Sequence, residues 1–163
     1  MKLGPSPHPR TAMALRHAAI LLLALAPLFT AAAGDAGTGM VSYRVVGDGI
    51  PSSLTGVTGD PRRGRSAAAN ASQGNCAICH RLPIAELPVF GDIGPPLDGV
   101  GGRLGEAQLR LRLVDPRRLH RASIMPAYYR VEGLHRVAPR YRGQPLLGAQ
   151  DIEDIVAYLM TLR

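Results

Sequence analysis

Tryptophan is missing from this 163-residue chain, and two Phe and five Tyr bring the aromatics to just 4%. A domain of this length normally draws much of its buried area from aromatic side chains. Their scarcity leaves room for another apolar body in the core. Charged residues are also few, at 19%, while 46% of the chain is hydrophobic, which excludes a disordered chain. The length excludes more than one ordinary domain. Lysine occurs once, at Lys2, and cysteine twice. No apolar run approaches the ~20 residues that span a bilayer. The formal charge of +7 points to an acidic partner, a nucleic acid or a membrane surface, but part of it sits in a segment with another role.

That segment is the first 33 residues. Lys2, Arg10, Arg16 and His17 make a basic front, Ala18 to Leu28 an apolar run, and Ala31, Ala32 and Ala33 a small-residue cleavage site. This is the layout of a secretory signal peptide. An uncleaved anchor is the competing reading, disfavoured by Pro27 and the alanines. With no cysteine near the site and no Arg-Arg pair before the run, a lipoprotein and twin-arginine export are both set aside. Cleavage near Gly34 places the mature chain in the periplasm without a membrane span. It leaves 16 Arg against 12 acidic residues, a formal +4. No nucleic-acid motif and no internal repeat is present.

The expected organisation is a signal peptide over 1–33, an extended N-terminal segment over 34–59, and a helical domain over 60–163. Ser42 to Gly47 has short β character. Asp60-Pro61 reads as an N-cap with proline at the first helical position, predicting a helix to about Asn70. Glycines and prolines between 81 and 103 predict no regular element. A helix fits Glu106 to Val114, and Asp115-Pro116 repeats the cap signal for a short helix to about Arg121. Residues 122–148 read as loop. Ile152, Ile155, Val156, Leu159 and Met160 form the apolar stripe of a last helix, with Asp151, Glu153 and Asp154 near its start suiting the helix dipole.

Cys76-Ala77-Ile78-Cys79-His80 is the C-x-x-C-H attachment signature for c-type haem. Two thiols about one helical turn apart reach the two vinyl groups of one porphyrin, and the next residue turns an imidazole to the iron. A thioredoxin-type redox pair wants a βαβ setting, which is not visible. Zinc needs two further ligands, for which His120 and His135 are the candidates. A disulfide between Cys76 and Cys79 is strained and leaves His80 unexplained. One covalent haem c therefore leads, and a porphyrin wrapped by long loops accounts for the missing aromatics.

The sixth ligand has five candidates: Met40, His120, Met125, His135 and Met160. Met160 lies on the last helix's stripe, where methionine is usually core. Met125, in Ser123-Ile124-Met125-Pro126, is preferred because the following proline stiffens its loop; His120 and His135, each flanked by arginine, remain alternatives. Pro95 offers a carbonyl to the His80 Nδ1 proton, and Leu97 is positioned to pack on the porphyrin. A His and Met pair closes the iron and raises its potential, so such a haem moves single electrons.

From about Asp60 to Leu162 the sequence resembles class I cytochromes c: a helix before C-x-x-C-H, a G-P-x-L loop at Gly94–Leu97, a methionine loop and an amphipathic last helix, in that order. The blocks SYRVVGDGIPSSLTG (42–56), GDIGPPLDGVGGR (91–103) and SIMPAYYRVEGLHRVAPRYRGQPLL (123–147) look like the SoxX branch, the monohaem subunits of SoxAX thiosulfate-oxidising complexes. The resemblance implies an all-α, class I cytochrome c-like fold and one covalent haem c. Cys76 and Cys79 would carry the thioethers, and His80 and Met125 would be the axial ligands. It implies a SoxA-type cytochrome as partner, a SoxYZ carrier reached through the complex, and a downstream cytochrome taking the electrons. In that family the sulfur-handling cysteine belongs to SoxA, so this chain would be a non-catalytic electron-transfer subunit. Two other readings stay open: a free-standing monohaem shuttle, and a haem-based sensor with an open sixth site.

Overall fold

Asp60 opens the first helix as its residue type demands. Its carboxylate accepts the Arg62 and Arg63 N–H groups at 2.8 and 3.4 Å, and Pro61 takes the first turn, where a missing N–H costs nothing. In chain order the computed structural model holds α1 (Pro61–Ala69), a 3₁₀ turn at Cys76–Ile78, α2 (Val100–Arg103), α3 (Glu106–Val114), 3₁₀ turns at Pro116–Arg118 and Pro139–Tyr141, and α4 (Ala149–Thr161). It describes residues 1, 4 and 40–163, with Gly37–Arg163 forming one compact unit. The segment read as an export signal lies outside the described residues, apart from residues 1 and 4. Among the described residues the fold is all-α: backbone pairing of the β type is confined to one bridge between Val46 and Gly49.

α4 is the hub, touching α1, α2 and α3. Ile152, Ile155, Val156 and Leu159 of its stripe are buried, each contributing about 1.5–3 kcal/mol of apolar transfer. They meet Ala67 and Ala68 of α1 and Leu109, Leu111, Leu113 and Val114 of α3 in one core. α1 approaches α4 closely because of Gly64. A Cβ there would overlap the Asp154 carbonyl. Glycine inside a helix costs roughly 0.5–1 kcal/mol relative to alanine, and here it admits a neighbouring backbone.

The helix expected to about Arg121 is a 3₁₀ turn ending at Arg118, and the expected loop over 122–148 contains the Pro139–Tyr141 turn. Four further departures each have a local reason. Val100–Arg103 forms a helical turn in the glycine-rich stretch, because Gly99 adopts φ +69 and restarts the chain as an N-cap. Ser42–Gly47 does not form a strand: Gly47, at φ +58, turns the chain back into the Val46–Gly49 bridge. Asp115 caps nothing with its side chain; its Oδ2 pairs with Arg130 at 3.2 Å instead. Glu153 and Asp154 are not solvated dipole partners but buried groups with fixed guanidinium partners.

The segment before Asp60 is folded onto the helices. Ile50 is fully buried, and its N–H donates to the Ala107 carbonyl at 2.9 Å. Arg110 Nη1 donates to the Ile50 carbonyl at 2.7 Å, while its Nε and Nη2 grip Glu153 at 2.8 and 2.9 Å. Glu153 Oε1 also accepts the Leu54 N–H at 2.8 Å. A planar two-pronged guanidinium–carboxylate pair is the geometry that makes a buried charge pair tolerable.

Candidate haem-attachment site

The path from α1 to the cysteines is set by a run of backbone bonds. Gly74 N–H donates to the Ala67 carbonyl at 3.0 Å, and Asn75 turns the chain at φ +46. The next residues wind into the 3₁₀ turn, with His80 N–H donating to the Cys76 carbonyl at 2.9 Å. Cys76 and Cys79 are free thiols. Burial pushes the Cys76 thiol up to about 11, so it stays neutral at ordinary pH.

His80 is held by the Gly94–Leu97 loop. Its Nδ1 lies 2.7 Å from the Pro95 carbonyl, which can only accept, so the ring proton sits on Nδ1 and Nε2 is left as the metal-binding lone pair. The loop is itself pinned: Gly94 N–H donates to the Cys79 carbonyl at 2.8 Å, and Leu97 N–H to the Arg81 carbonyl at 2.9 Å. Gly94 is compulsory here. A Cβ on it would come within 2.3–2.8 Å of three atoms of the imidazole ring.

Met125 is half-buried against the core in the loop after the Pro116–Arg118 turn. Its loop is tied by Tyr128 and Tyr129, whose N–H groups donate to the Leu113 and Val114 carbonyls at 3.0 and 3.4 Å. Leu97 is half-buried at the core edge. Met160 is half-buried against the core on α4, Met40 is exposed, and so are His120 and His135.

The donor set suits a c-type haem: two free thiols, one imidazole with its tautomer fixed, and a thioether in a proline-stiffened loop. A second observation agrees. Ile78, Ile93 and Ile124 are 62%, 63% and 77% exposed; among the described residues, Val57 and Val89 are the other large aliphatics exposed beyond half, at 59% and 76%. Each adjoins a key residue, lying between the two cysteines, before Gly94 and before Met125. Apolar side chains exposed on those three segments are what a porphyrin would cover. Among the described residues no group of three or more His, Cys, Asp or Glu is arranged to hold a metal ion, which leaves no zinc cluster. Two clefts, of about 820 and 450 Å³, flank the 116–146 loops and share Arg117 and Arg130. Neither is lined by Cys76, Cys79 or His80.

Sequence reasoning missed the Arg110–Glu153 clamp, Gly64, and the tie from Tyr128 to Gly74. A glycine inside α1 was the readable signal for a close helix crossing. The other two join residues 43 and 54 positions apart, and no local pattern announces them.

The cytochrome c family profile matches residues 62–163. No curated protein matches the chain. Among solved structures, the crystal structure of SoxXA from P. pantotrophus is similar, with a TM-score of 0.69 and 37% identity, covering 74% of this chain and 93% of that one. A profile spanning most of the chain, and a solved relative matched over nearly its whole length, agree with the C-x-x-C-H turn and its imidazole support: the chain belongs to the cytochrome c family and is a SoxX-type cytochrome.

Proposed function

We propose that this chain is the electron-accepting cytochrome subunit of a periplasmic SoxAX-type complex that couples thiosulfate to a carrier-protein cysteine. The observation that carries the reading is the coincidence of two things. One is a 37% identity match to SoxXA; the other is a C-x-x-C-H turn whose His80 is already oriented by Pro95 at 2.7 Å. One haem c, bound here, supplies a single reversible electron position. Everything else is done by the chain. Cys76 and Cys79 anchor the group by thioethers, and His80 presents Nε2. Met125 would supply a thioether ligand to the iron, which would raise the potential and close the iron to substrate. Leu97 packs on the porphyrin, and Ile78, Ile93 and Ile124 exclude water.

Both cysteines are consumed by attachment, so this subunit holds no sulfur intermediate. That chemistry belongs to the SoxA-type partner, the carrier is of the SoxYZ type, and the electron leaves to a downstream cytochrome. Among the described residues no helix is long and apolar enough to cross a membrane.

The test is co-expression with the SoxA-type cytochrome of the same organism, assaying thiosulfate-dependent reduction of this haem. Thiosulfate-dependent reduction that requires the partner is expected. A chain that purifies as a lone monomer, and is reduced equally well without that partner, refutes the subunit reading in favour of a free-standing shuttle. Met125→Ala is expected to keep the haem attached but open the iron to carbon monoxide. An unchanged spectrum refutes the ligand.

A further inference from the structure

Tyr128 lies three residues after Met125 and is buried. Its hydroxyl donates to the Gly74 carbonyl at 2.6 Å, a buried bond across 54 positions of sequence. Gly74 stands two residues before Cys76 and is itself anchored to α1 through the Ala67 carbonyl. The backbone of Tyr128 is held at both polar groups: its N–H donates to the Leu113 carbonyl at 3.0 Å, and its carbonyl accepts the Leu147 N–H at 3.1 Å. One side chain thus joins the methionine loop to the segment that carries the thioethers, while the main-chain bonds fasten that loop to the end of α3.

We infer that Tyr128 is a positioning residue for the sixth ligand, a strut that fixes the methionine loop against the attachment turn and so keeps Met125 on the iron. The inference rests on the reading of Met125 as axial ligand. Three residues of chain reach at most about 10 Å, so holding Tyr128 confines where the Met125 thioether can travel. A loop without that tie still folds against α3 but samples positions away from the porphyrin. Burial raises the Tyr128 pKa well above the ordinary phenol range, so the hydroxyl remains a donor at all ordinary pH.

Two other buried tyrosines separate this role from simple stability. The Tyr129 hydroxyl accepts the Val41 N–H at 2.7 Å, so it ties the loop to the N-terminal segment instead of the attachment turn. The Tyr158 hydroxyl is buried with no hydrogen-bond partner. Tyr128→Phe, Tyr129→Phe and Tyr158→Phe each delete one oxygen, from three different circumstances.

The experiment uses the haem-loaded mature chain and two measurements. One is the unfolding midpoint. The other is exchange of the sixth ligand, read as carbon monoxide binding to the ferrous protein and as the methionine-to-iron charge-transfer band of the ferric protein. A lost hydrogen bond is worth about tenfold in an equilibrium. Tyr128→Phe is therefore expected to raise the methionine-off population, and with it the carbon monoxide binding rate, roughly tenfold. Tyr129→Phe is expected to lower the midpoint with little change in ligand exchange, and Tyr158→Phe to leave both near wild type. If Tyr128→Phe and Tyr129→Phe change ligand exchange alike, in proportion to lost stability, the strut is overturned. If Met125→Ala leaves the charge-transfer band intact, the ligand reading fails and the strut falls with it. If Met125→Ala abolishes the band while Tyr128→Phe binds carbon monoxide at the wild-type rate, the strut alone is wrong.

Discussion

Replacing Arg110 by methionine is the most severe test of how the N-terminal segment is fastened. Arg110 is 2% exposed and makes three hydrogen bonds inside the core, two to Glu153 and one to the Ile50 carbonyl. Methionine fills similar volume but leaves the Glu153 carboxylate buried with the Leu54 N–H as its remaining partner, and leaves the Ile50 carbonyl without its side-chain donor. Breaking one side of a buried pair costs about 3–5 kcal/mol. The reverse change, Glu153→Gln, is expected to cost less, because Arg110 has a second carboxylate in Glu106 at 3.8 Å, near enough to be approached by a small rotation. The double variant Arg110→Met/Glu153→Leu removes both charges. It still orphans the Leu54 N–H and the Ile50 carbonyl, at about 1–3 kcal/mol each, but leaves no buried charge unpaired, so it is expected to lose less than the single changes Arg110→Met and Glu153→Leu added together. Urea denaturation of the haem-loaded mature chain, followed by far-ultraviolet circular dichroism, checks this. With a slope of 1–3 kcal/mol/M, the Arg110→Met midpoint should fall by roughly 2 M. A fall under about 0.5 M would show that the pair is solvated and that the segment before Asp60 is not welded to the helices.

Three further outcomes are expected. Gly94→Ala drives a methyl group into the His80 ring; the haem stays attached, but the imidazole is displaced and the low-spin ferric spectrum is lost, an outcome that ordinary absorption spectroscopy decides. Burial works to raise the Asp154 carboxyl, but hydrogen bonds from Arg63, the Asp60 N–H and Gln150 outweigh it and hold it below the usual range. A depressed folded value means that its stabilisation is in place above about pH 4 and is lost as the pH falls through the lowered folded value; Asp154→Asn should flatten the acid limb of a stability-versus-pH curve, and an unchanged limb refutes the assignment. Expressed in a host that exports it, the chain should lose residues 1–33, and an intact mass that retains them refutes cleavage near Gly34.

What was readable in the sequence was whatever depends on near neighbours along the chain. Asp60-Pro61 marks the start of α1 because cap and proline act within three residues. The α4 stripe follows from a 3.6-residue period imposed by burial on one face, whereas α3 buries Leu109, Arg110, Leu111, Leu113 and Val114 over more than half of its circumference. The C-x-x-C-H motif and the Gly94–Leu97 loop are local for the same reason, although the 2.7 Å bond between His80 and Pro95 needs a tertiary approach that residue order alone only suggests. Asp115 shows the limit. Asp-Pro is a sound capping signal, yet Arg130, fifteen residues on, captures the carboxylate. Local capping yields when a cation approaches from a distant loop. Glu153 and Asp154 follow the same logic, since their partners Arg110 and Arg63 lie on other helices.

The shortage of aromatics takes on a definite meaning against this structure. Tyr128, Tyr129 and Tyr158 are buried, and two of their three hydroxyls tie loops to distant segments. Tyr128 and Tyr129 fix loops, Tyr158 lies buried on α4, and the rest of the core among α1, α3 and α4 is packed mainly with aliphatic residues and alanine. On the proposed reading the largest apolar body arrives covalently, through Cys76 and Cys79, and the chain needs little bulk of its own. What it needs is loops that stand in the right place before that body is attached. The exposure of Ile78, Ile93 and Ile124 on the three segments that would surround a porphyrin is the other half of that arrangement. It yields a direct consequence: removing the attachment cysteines should cost this protein more stability than any single side-chain deletion in its aliphatic core. Cys76→Ala/Cys79→Ala, compared with Leu111→Ala at about 2–5 kcal/mol, puts that to the test by thermal unfolding; a double-cysteine variant that melts above Leu111→Ala would show that the protein scaffold, not the group it carries, holds the fold together.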